Sequence, residues 1–413
     1  MSESKQQPTK KRIRLLVKAV LLFLFGGFCY DYVPVLLKSS SFAATVFIYF
    51  LIALIFIALT FVLKRLGVKK YREILFSSLI LASLLLGTET ILRFVVKTHL
   101  DYCETSGNPY RARLFEQNIY TKEVPYDPFD TVWTSKTEFS YFRIPNEQGI
   151  FEKRIGAKRA GEKRFLCLGD SFTEGVGTTY DSTWVKNVER LMQAARPLSD
   201  ITFINAGQSG NDPFAEYTLL KTKLMGYQPD WVIMMVNNSD INEFIERGGL
   251  ERYKSDGTID YRKGPWWYQA YRYSYIVRHI AHDIFHLKDY LISAEEHDKL
   301  VGEAYTAISS ICKKMEKLGD ENGFKFVLVV QPMHYEIAVN KYAFPNFSSI
   351  NNASKYSVDL MPYLVNHVKN LKPNTKYYWP LDVHYNTLGY QIVADGIYHY
   401  LDSILPPNFQ APQ

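Results

Sequence analysis

An apolar run without a single charged residue, at positions 42–63, constrains this chain more than any other feature. As an α-helix with a rise of 1.5 Å per residue, the run is about 33 Å long, which is enough to cross the core of a bilayer. Two further apolar runs flank it, at about 15–37 and 74–96. Their few charged residues lie toward the ends of each run, where they can reach the interface: Lys18, Asp31, Glu89 and Arg93. The sequence therefore predicts a bundle of three transmembrane helices within residues 1–97.

Basic residues predict how these helices are oriented. The net charge is +6, and much of the excess lies in the tail at 5–18 and in the loop at 64–72. Because Lys and Arg concentrate in cytoplasmic loops, both segments are expected inside, and residues after about 97 are expected outside. This arrangement predicts a multi-pass protein of the inner (cytoplasmic) membrane whose larger part lies on the extracytoplasmic, periplasmic side.

Two alternatives to this reading of the amino-terminal part are disfavoured. A cleaved signal peptide would explain the first apolar run, but no small-x-small cleavage site follows it and two further spans do. Nucleic-acid binding would explain the basic balance, but the charge flanks apolar runs and no nucleic-acid-binding motif accompanies it. A membrane-embedded protein without a nucleic-acid partner is therefore expected.

After a connecting segment at 98–162, the pattern changes to short apolar runs that alternate with helical ones. This alternation is typical of an α/β fold with a three-layer, doubly wound parallel sheet. Strands are predicted at 164–168, 201–205, 231–236 and 324–330, with a weaker fifth at 377–380, and helices at 183–195, 213–225, 301–318 and 388–401. The domain would span 163–405, with an insertion at about 242–322 that starts with a hairpin near Asp256 and Gly257.

Two short motifs of this domain bring a nucleophile and a base to predicted strand ends. Gly169-Asp170-Ser171 follows the first strand, where the hydroxyl of Ser171 would be exposed at the carboxyl edge of the sheet. A serine hydroxyl is a weak nucleophile and needs an adjacent base. The run Asp382-Val383-His384 follows the last predicted strand and supplies a histidine with a carboxylate two residues earlier. Either motif alone is common in turns, but their order and placement together favour catalysis.

Four blocks in this order resemble those of the SGNH/GDSL-like hydrolase family, and in particular its bacterial membrane-anchored members. They are 169–171, 205–210, 236–241 and 382–384. The resemblance implies a flavodoxin-like sheet, with Ser171 as nucleophile, His384 as base and Asp382 as the acid that orients it. It also implies that the N–H groups of Ser171 and Gly210 contribute to an oxyanion hole. No cofactor and no metal are implied.

The third block departs from the family pattern. The family has glycine-x-asparagine-aspartate there, and an ungapped match would place Ser239 at the asparagine position. We favour Asn238 as the third oxyanion donor because an amide N–H suits an oxyanion better, and Asn237 remains an alternative. The last block is also shorter than usual, with one residue instead of two between Asp382 and His384.

Other histidines offer competing interpretations. His279, His282 and His286 share one face of a predicted helix at a spacing compatible with a metal site, but the apolar residues between them favour a structural amphipathic helix. His334 also follows a predicted strand and is an alternative base or a substrate contact.

The resemblance implies a membrane-anchored serine esterase or O-acyltransferase that acts on ester-linked acyl groups, in particular acetyl groups, of an extracytoplasmic glycan. A lipid esterase or thioesterase is the alternative within enzymes, because the domain would sit beside a membrane. A catalytically idle glycan-binding or scaffold domain is the alternative outside enzymes, because the third block is altered. The motifs distinguish neither the substrate nor hydrolysis from transfer.

Overall fold

The computed structural model describes residues 42–95, 120–125, 137–143, 146, 149–153, 155–252, 262, 264–288, 291–345, 347–380 and 382–406. Its strands are β1 (Tyr120–Pro125), β2 (Thr137–Arg143), β3 (Lys163–Leu168), β4 (Ile201–Asn205), β5 (Trp231–Val236), β6 (Lys325–Val330) and β7 (Ser357–Asp359). Its α-helices are α1 (Phe42–Arg65), α2 (Tyr71–Val95), α3 (Ser171–Glu174), α4 (Trp184–Ala195), α5 (Pro213–Thr222), α6 (Asn238–Glu246), α7 (Tyr268–Tyr273), α8 (Tyr275–His279), α9 (Ala294–Asn322), α10 (His334–Val339), α11 (Met361–Lys369) and α12 (Thr387–Ile404).

The chain divides into two compact units. One contains α1, α2 and the segment Gly264–Ser293, and the other contains Glu104–Lys263 and Ala294–Gln413. Short 3₁₀ turns connect elements of the second unit at Tyr180–Ser182, Leu224–Tyr227, Gly249–Arg252 and Phe347–Ala353.

Two apolar helices make up most of the first unit. α1 covers the predicted span at 42–63 and α2 most of that at 74–96, and the two helices pack against each other. Among the described residues, the stretch Tyr71–Leu92 is long and apolar enough to cross a membrane. The predicted span at 15–37 lies outside the described residues, so a bundle of three helices stays a prediction.

The second unit is built on a five-stranded parallel sheet with the order β4-β3-β5-β6-β7. Its first two strands are swapped relative to chain order, as in flavodoxin-like sheets. Four of the predicted strands are therefore confirmed within a residue or two, and so is the α/β class. β1 and β2 form a separate antiparallel hairpin.

Helices cover both faces of this sheet. On one face, side chains such as Phe165 and Cys167 of β3 pack in one core with residues of α4, α11 and α12. On the other, α9 packs against β6, α5 and α6. Strands β3 to β6 are buried over most of their length on both faces, which explains why they appear as nearly continuous apolar runs in the sequence.

Two sequence predictions need correction. The fifth strand is β7, not 377–380, where Tyr378 forms only an isolated bridge with Tyr385. β7 has three residues, too few for a clear periodic signal. The insertion is also narrower than 242–322, because α9 packs on the sheet and only Gly264–Ser293 joins the other unit. The hairpin predicted near Asp256 lies outside the described residues.

Candidate active site

Ser171 is the first residue of α3, directly after the turn that ends β3. Asp170 caps this short helix, and its Oδ1 accepts a hydrogen bond of 2.8 Å from the N–H of Phe172. Gly169 has a φ of +154°, and a Cβ there would overlap the Thr173 side chain. A glycine is therefore required for the chain to turn from the strand into the helix, which places Ser171 at the carboxyl edge of the sheet.

His384 lies beside Ser171 although 213 positions separate them in the sequence. Its Nε2 is 2.7 Å from Ser171 Oγ, and its Nδ1 is 2.5 Å from Asp382 Oδ1. A proton on Nδ1 donated to Asp382 leaves Nε2 to accept from the serine hydroxyl. This is the arrangement of a serine nucleophile, a base and an orienting acid, and the expected proximity of the three residues is present.

A backbone turn explains how one residue is enough between the acid and the base. Val383 has a φ of +68°, the left-handed region that β-branched residues rarely adopt. Backbone hydrogen bonds of 2.8 Å, from Val383 N to Trp379 O and from Trp379 N to His384 O, hold this turn closed. The left-handed turn lets Asp382 reach back to the ring of His384 across a single residue.

The imidazole of His384 is also held by packing. The ring of Phe172, next to the nucleophile, lies 4.7 Å from the His384 ring. The following residue, Tyr385, is buried and donates a hydrogen bond of 2.5 Å to Pro332 O at the end of β6. Asn386 then caps α12 by accepting from Leu388 N and Gly389 N. The ring of His384 is therefore fixed between α3 and the start of α12.

The loop that carries Gly210 is tied to the nucleophile helix. Glu174 of α3, only 1% exposed, accepts hydrogen bonds from Ser209 N at 2.7 Å and Ser209 Oγ at 2.6 Å. Gly210 has a φ of +76°. Among the hydrogen bonds between described residues, none uses the N–H of Ser171 or Gly210 as donor, so both groups are free to bind an oxyanion.

Gly207 allows the loop that carries Gly210 to approach α3 closely. We expect Gly207→Ala to lower ester turnover by about a hundredfold, because small displacements near reacting groups have effects of that size. A Cβ at Gly207 would overlap backbone atoms of Thr173 and Glu174, which cannot move aside as a flexible side chain can. Gly226→Ala is the matched control, because a Cβ there meets nothing within 4 Å. Turnover of an activated acetyl ester and thermal unfolding of both variants test this; equal turnover would mean that the loop is not part of the site.

The third block contacts the nucleophile turn through residues other than the preferred one. Asn237 caps α6, and its Nδ2 donates to Asp170 Oδ2 at 3.1 Å. Ser239 Oγ lies 2.8 Å from the same oxygen. The Nδ2 of Asn238 instead donates to Tyr335 OH and to Glu336 Oε1.

These contacts do not support Asn238 as the oxyanion donor, because its amide nitrogen already donates two hydrogen bonds, to Tyr335 OH and to Glu336 Oε1. Asn238 is the first residue of α6, one position after the capping residue, and its side chain contacts α10 rather than Asp170. Asn237 is the stronger candidate. Its sequence signal was an asparagine directly after a strand with an acidic residue, Asp240, three positions later, which is the pattern of a capping box.

Several carboxyl groups lie buried behind the nucleophile turn. Burial raises the pKa of Glu216 and of Asp240 well above the usual range, and the nearby carboxylate of Asp170 raises each further. Both carboxyl oxygens of Glu216 are buried without a hydrogen-bond partner among the described residues. Asp212 differs, because the adjacent Arg252 guanidinium lowers its pKa against the effect of burial. Burial and the neighbouring carboxylates therefore favour the protonated, neutral forms of Glu216 and Asp240.

We expect Glu216→Gln to stabilise the fold at neutral and alkaline pH. The unfolded chain loses the Glu216 proton above its ordinary pKa of 4.5, whereas the folded chain keeps it, so stability falls as the pH rises past that value. Glutamine removes this loss without changing shape. The Tm of the variant should exceed that of wild type at about pH 8 and match it at about pH 4. Glu321→Gln on the exposed face of α9 serves as control, and a Glu216→Gln variant with an unchanged Tm at both values would contradict the prediction.

The competing histidines have structural contacts. The ring of His334 stacks on Tyr378 at 4.0 Å and hydrogen bonds to the backbone of Val383, and burial lowers its pKa. It supports the turn that carries His384, whereas His384 itself contacts Ser171. The Nε2 of His282 bonds Tyr271, and its Nδ1 bonds Leu287 O. Among the described residues, no cluster of His, Cys, Asp or Glu is arranged to hold a metal ion.

Comparisons with known proteins give similarity only at the level of structure. No protein-family model matches the chain, and no curated protein matches its sequence. One similar structure is a two-domain esterase active on acetylated mannans, with 16% identity and a TM-score of 0.38. That match covers 59% of this chain and 50% of the esterase, so the chain spans about half the length of that protein.

Two smaller enzymes match over nearly their whole length. One is an acetylxylan esterase from Geobacillus stearothermophilus, with 16% identity and a TM-score of 0.35; the match covers 59% of this chain and 95% of that chain. The other is a lipase/acylhydrolase from Enterococcus faecalis, with 14% identity and a TM-score of 0.33; the match covers 59% of this chain and 98% of that chain. The order of the sequence blocks and the parallel sheet of this chain are SGNH-like. Because the TM-scores are low, the function of the chain is inferred from its own site.

Proposed function

We propose that this chain is a serine esterase or O-acyltransferase. The observation that carries the proposal is the relay of hydrogen bonds from Ser171 Oγ through the ring of His384 to Asp382. Ser171 Oγ attacks the ester carbonyl while His384 Nε2 accepts its proton. The imidazolium, stabilised by Asp382, then gives this proton to the departing alcohol oxygen, and the acyl group remains on Ser171.

Deacylation repeats these steps with a second hydroxyl compound. Water or a sugar hydroxyl attacks the acyl-enzyme as His384 removes its proton, and the Ser171 oxygen leaves with the proton returned by the imidazolium. Water gives hydrolysis and a sugar hydroxyl gives transfer. In both halves of the reaction the N–H groups of Ser171 and Gly210, with the amide of Asn237, stabilise the negative charge on the carbonyl oxygen.

The substrate class we propose is an acyl ester, in particular an acetyl ester, on a glycan. Tyr335 supports a sugar substrate, because it is 42% exposed on α10, which follows β6 at the same edge of the sheet as the nucleophile. Its hydroxyl contacts Asn238 of the third block. An exposed aromatic ring at the edge of such a site offers the flat apolar surface on which sugar rings stack.

The first test is covalent labelling. A fluorophosphonate probe reacts with an activated serine, so it should label the wild-type chain and fail to label Ser171→Ala. An idle binding domain would be labelled in neither case. Release of acetate from acetylated oligosaccharides, compared with hydrolysis of long-chain lipid esters and acyl thioesters, separates the glycan proposal from a lipid esterase or thioesterase.

We further propose that α1 and α2 are membrane-spanning. Large apolar side chains point outward along both helices, with exposures of 64% for Phe61, 68% for Phe76 and 65% for Ile91. Such exposed apolar side chains are unfavourable in water and favourable in lipid. Basic residues cluster between the two helices, which supports a cytoplasmic turn and an extracytoplasmic position for the second unit.

Reporter fusions test this topology. Gly67 lies in the turn between α1 and α2, where a Cβ would meet nothing within 4 Å, so an insertion there is expected to be tolerated. A reporter active only in the cytoplasm should work at Gly67 and fail at the carboxyl terminus, and one active only in an extracytoplasmic compartment should do the reverse. Activity of the same reporter at both positions would contradict the proposed topology.

A further inference from the structure

Glu89 is a buried carboxylate in an otherwise apolar part of α2, with only 1% of its surface exposed. It accepts a hydrogen bond of 3.0 Å from Tyr49 OH of α1. Its other donors come from the segment Gly264–Ser293, namely Tyr275 N at 2.6 Å, Ile276 N at 3.4 Å and the Ser274 hydroxyl. Arg93 is four positions away on the same face of α2, where an ion pair with Glu89 would be expected, but its side chain lies outside the described residues.

These contacts make Glu89 a cap for α8. The first N–H groups of a helix have no partner inside it, and a negative charge beside them is stabilising. Ser274 adds a second cap, since its Oγ accepts from Val277 N at 3.2 Å. Because a buried carboxylate is costly without such donors, the carboxylate and the segment stabilise each other. The segment Gly264–Ser293 is therefore fixed to α2 at one defined height along that helix.

That height lies near one end of the apolar stretch. Glu89 is 18 positions after Tyr71, the first residue of α2, or about 27 Å along the axis at 1.5 Å per residue. A bilayer core is about 30 Å thick, so Glu89 is close to the boundary opposite the basic turn at 64–72. Tyr49, which donates to Glu89, is 16 positions before Arg65, the last residue of α1, or about 24 Å from the same basic turn.

The segment Gly264–Ser293 also exposes large apolar side chains. Trp266 is 94% exposed, Phe285 68% and Ile284 59%. The segment has a small core of its own, formed by Tyr268, Tyr271 and Ala281. The exposed apolar side chains are therefore not needed to fill that core. Trp is the residue type that concentrates at the boundary between lipid tails and headgroups.

We propose that Gly264–Ser293 lies in the headgroup region of the outer leaflet and inserts Trp266, Ile284 and Phe285 between lipids. This inference rests on the proposed membrane anchor. Lipid, rather than another protein, is the occupant because the segment packs through α8 on α2, whose own residues Leu84 and Ile91 on either side of Glu89 are 63% and 65% exposed. A surface bound to the same bilayer as α2 needs no other partner.

Tryptophan quenching in proteoliposomes of the full chain tests the inference. The Trp266 signal is the difference between wild type and Trp266→Phe. It should be quenched by phosphatidylcholine brominated near the headgroup end of its acyl chains and resist iodide in the buffer. Leu198→Trp is the matched control, because Leu198 is 81% exposed in the second unit, and its added signal should be quenched by iodide and not by brominated lipid.

The role of Glu89 is tested in the same samples. Glu89→Leu removes the cap of α8 and should abolish the quenching of Trp266 by brominated lipid, while alkaline extraction still leaves the chain in the membrane. Quenching of Trp266 by iodide in a chain that resists extraction would overturn the inference about the segment alone. Protection from both quenchers would overturn lipid as the occupant. Release of the chain by alkali would overturn the membrane anchor, and the inference with it.

Discussion

Ser171→Ala is expected to abolish covalent labelling by a fluorophosphonate and to lower ester turnover by a factor on the order of 10⁶. In the proposed mechanism Ser171 Oγ forms the acyl-enzyme. This atom lies 2.7 Å from His384 Nε2, the only nucleophile–base contact among the described residues of the site. His384→Ala should cause a loss of similar size, because an unassisted serine hydroxyl is a poor nucleophile. The measurements are probe labelling and turnover of an activated acetyl ester.

The double variant makes this test specific. Residues that act as one unit are not additive, so Ser171→Ala with His384→Ala should be no slower than either single variant. Ser403→Ala, at an exposed position near the end of α12, is the control and should match wild type. Independent losses that multiply in the double variant would mean that Ser171 and His384 do not belong to one catalytic unit.

Asp382→Asn separates orientation from proton transfer. An asparagine can still contact the ring but no longer favours the imidazolium or fixes the tautomer with Nδ1 protonated, so turnover should fall by about 10⁴ and labelling should slow without disappearing. The 2.5 Å contact to His384 Nδ1 is the basis of this expectation. Full activity of Asp382→Asn would show that the backbone turn at Val383, rather than the carboxylate, holds the ring.

The sequence predicted the parts of this molecule that depend on local pattern. Buried parallel strands give continuous apolar runs, so β3, β4, β5 and β6 could be located, and Ser171 and His384 follow from their places at strand and helix ends. β7 was missed because three residues carry no period. The predicted helix at 301–318 was shorter than α9 at its amino-terminal end. The charged residues Glu295, Glu296 and Asp298 there interrupt the pattern of apolar residues by which a helix is recognised.

Contacts between distant segments could not be read from the sequence in the same way. Nothing local shows that Glu174 binds Ser209, that Glu89 caps α8, or that Val383 adopts a left-handed turn. Each depends on where the fold brings a second segment. The third block is the clearest example, because amide chemistry alone favoured Asn238 as much as Asn237, and only their contacts distinguish them.

The second large effect is expected in the third block, where Asn237→Ala should lower kcat by a factor of about 10² to 10³. Asn237 Nδ2 carries two N–H groups and donates one to Asp170, the residue before Ser171, so the other is the proposed donor to the oxyanion. Asn238→Ala should instead keep kcat and lower stability by about 1–3 kcal/mol, because it leaves Tyr335 and Glu336 without their buried donor. Ser239→Ala should have a small effect on both.

Asn237 also caps α6, so its loss alone would mix catalysis with folding. Asn237→Ser resolves this, since serine is a good capping residue but has no amide donor. We expect Asn237→Ser to retain the Tm of wild type while kcat falls as far as in Asn237→Ala, and KM to change little because the oxyanion forms only in the transition state. If Asn238→Ala shows the loss in kcat and Asn237→Ser does not, the amide that faces Tyr335 must turn toward Ser171 when substrate binds, and the assignment of Asn237 is wrong.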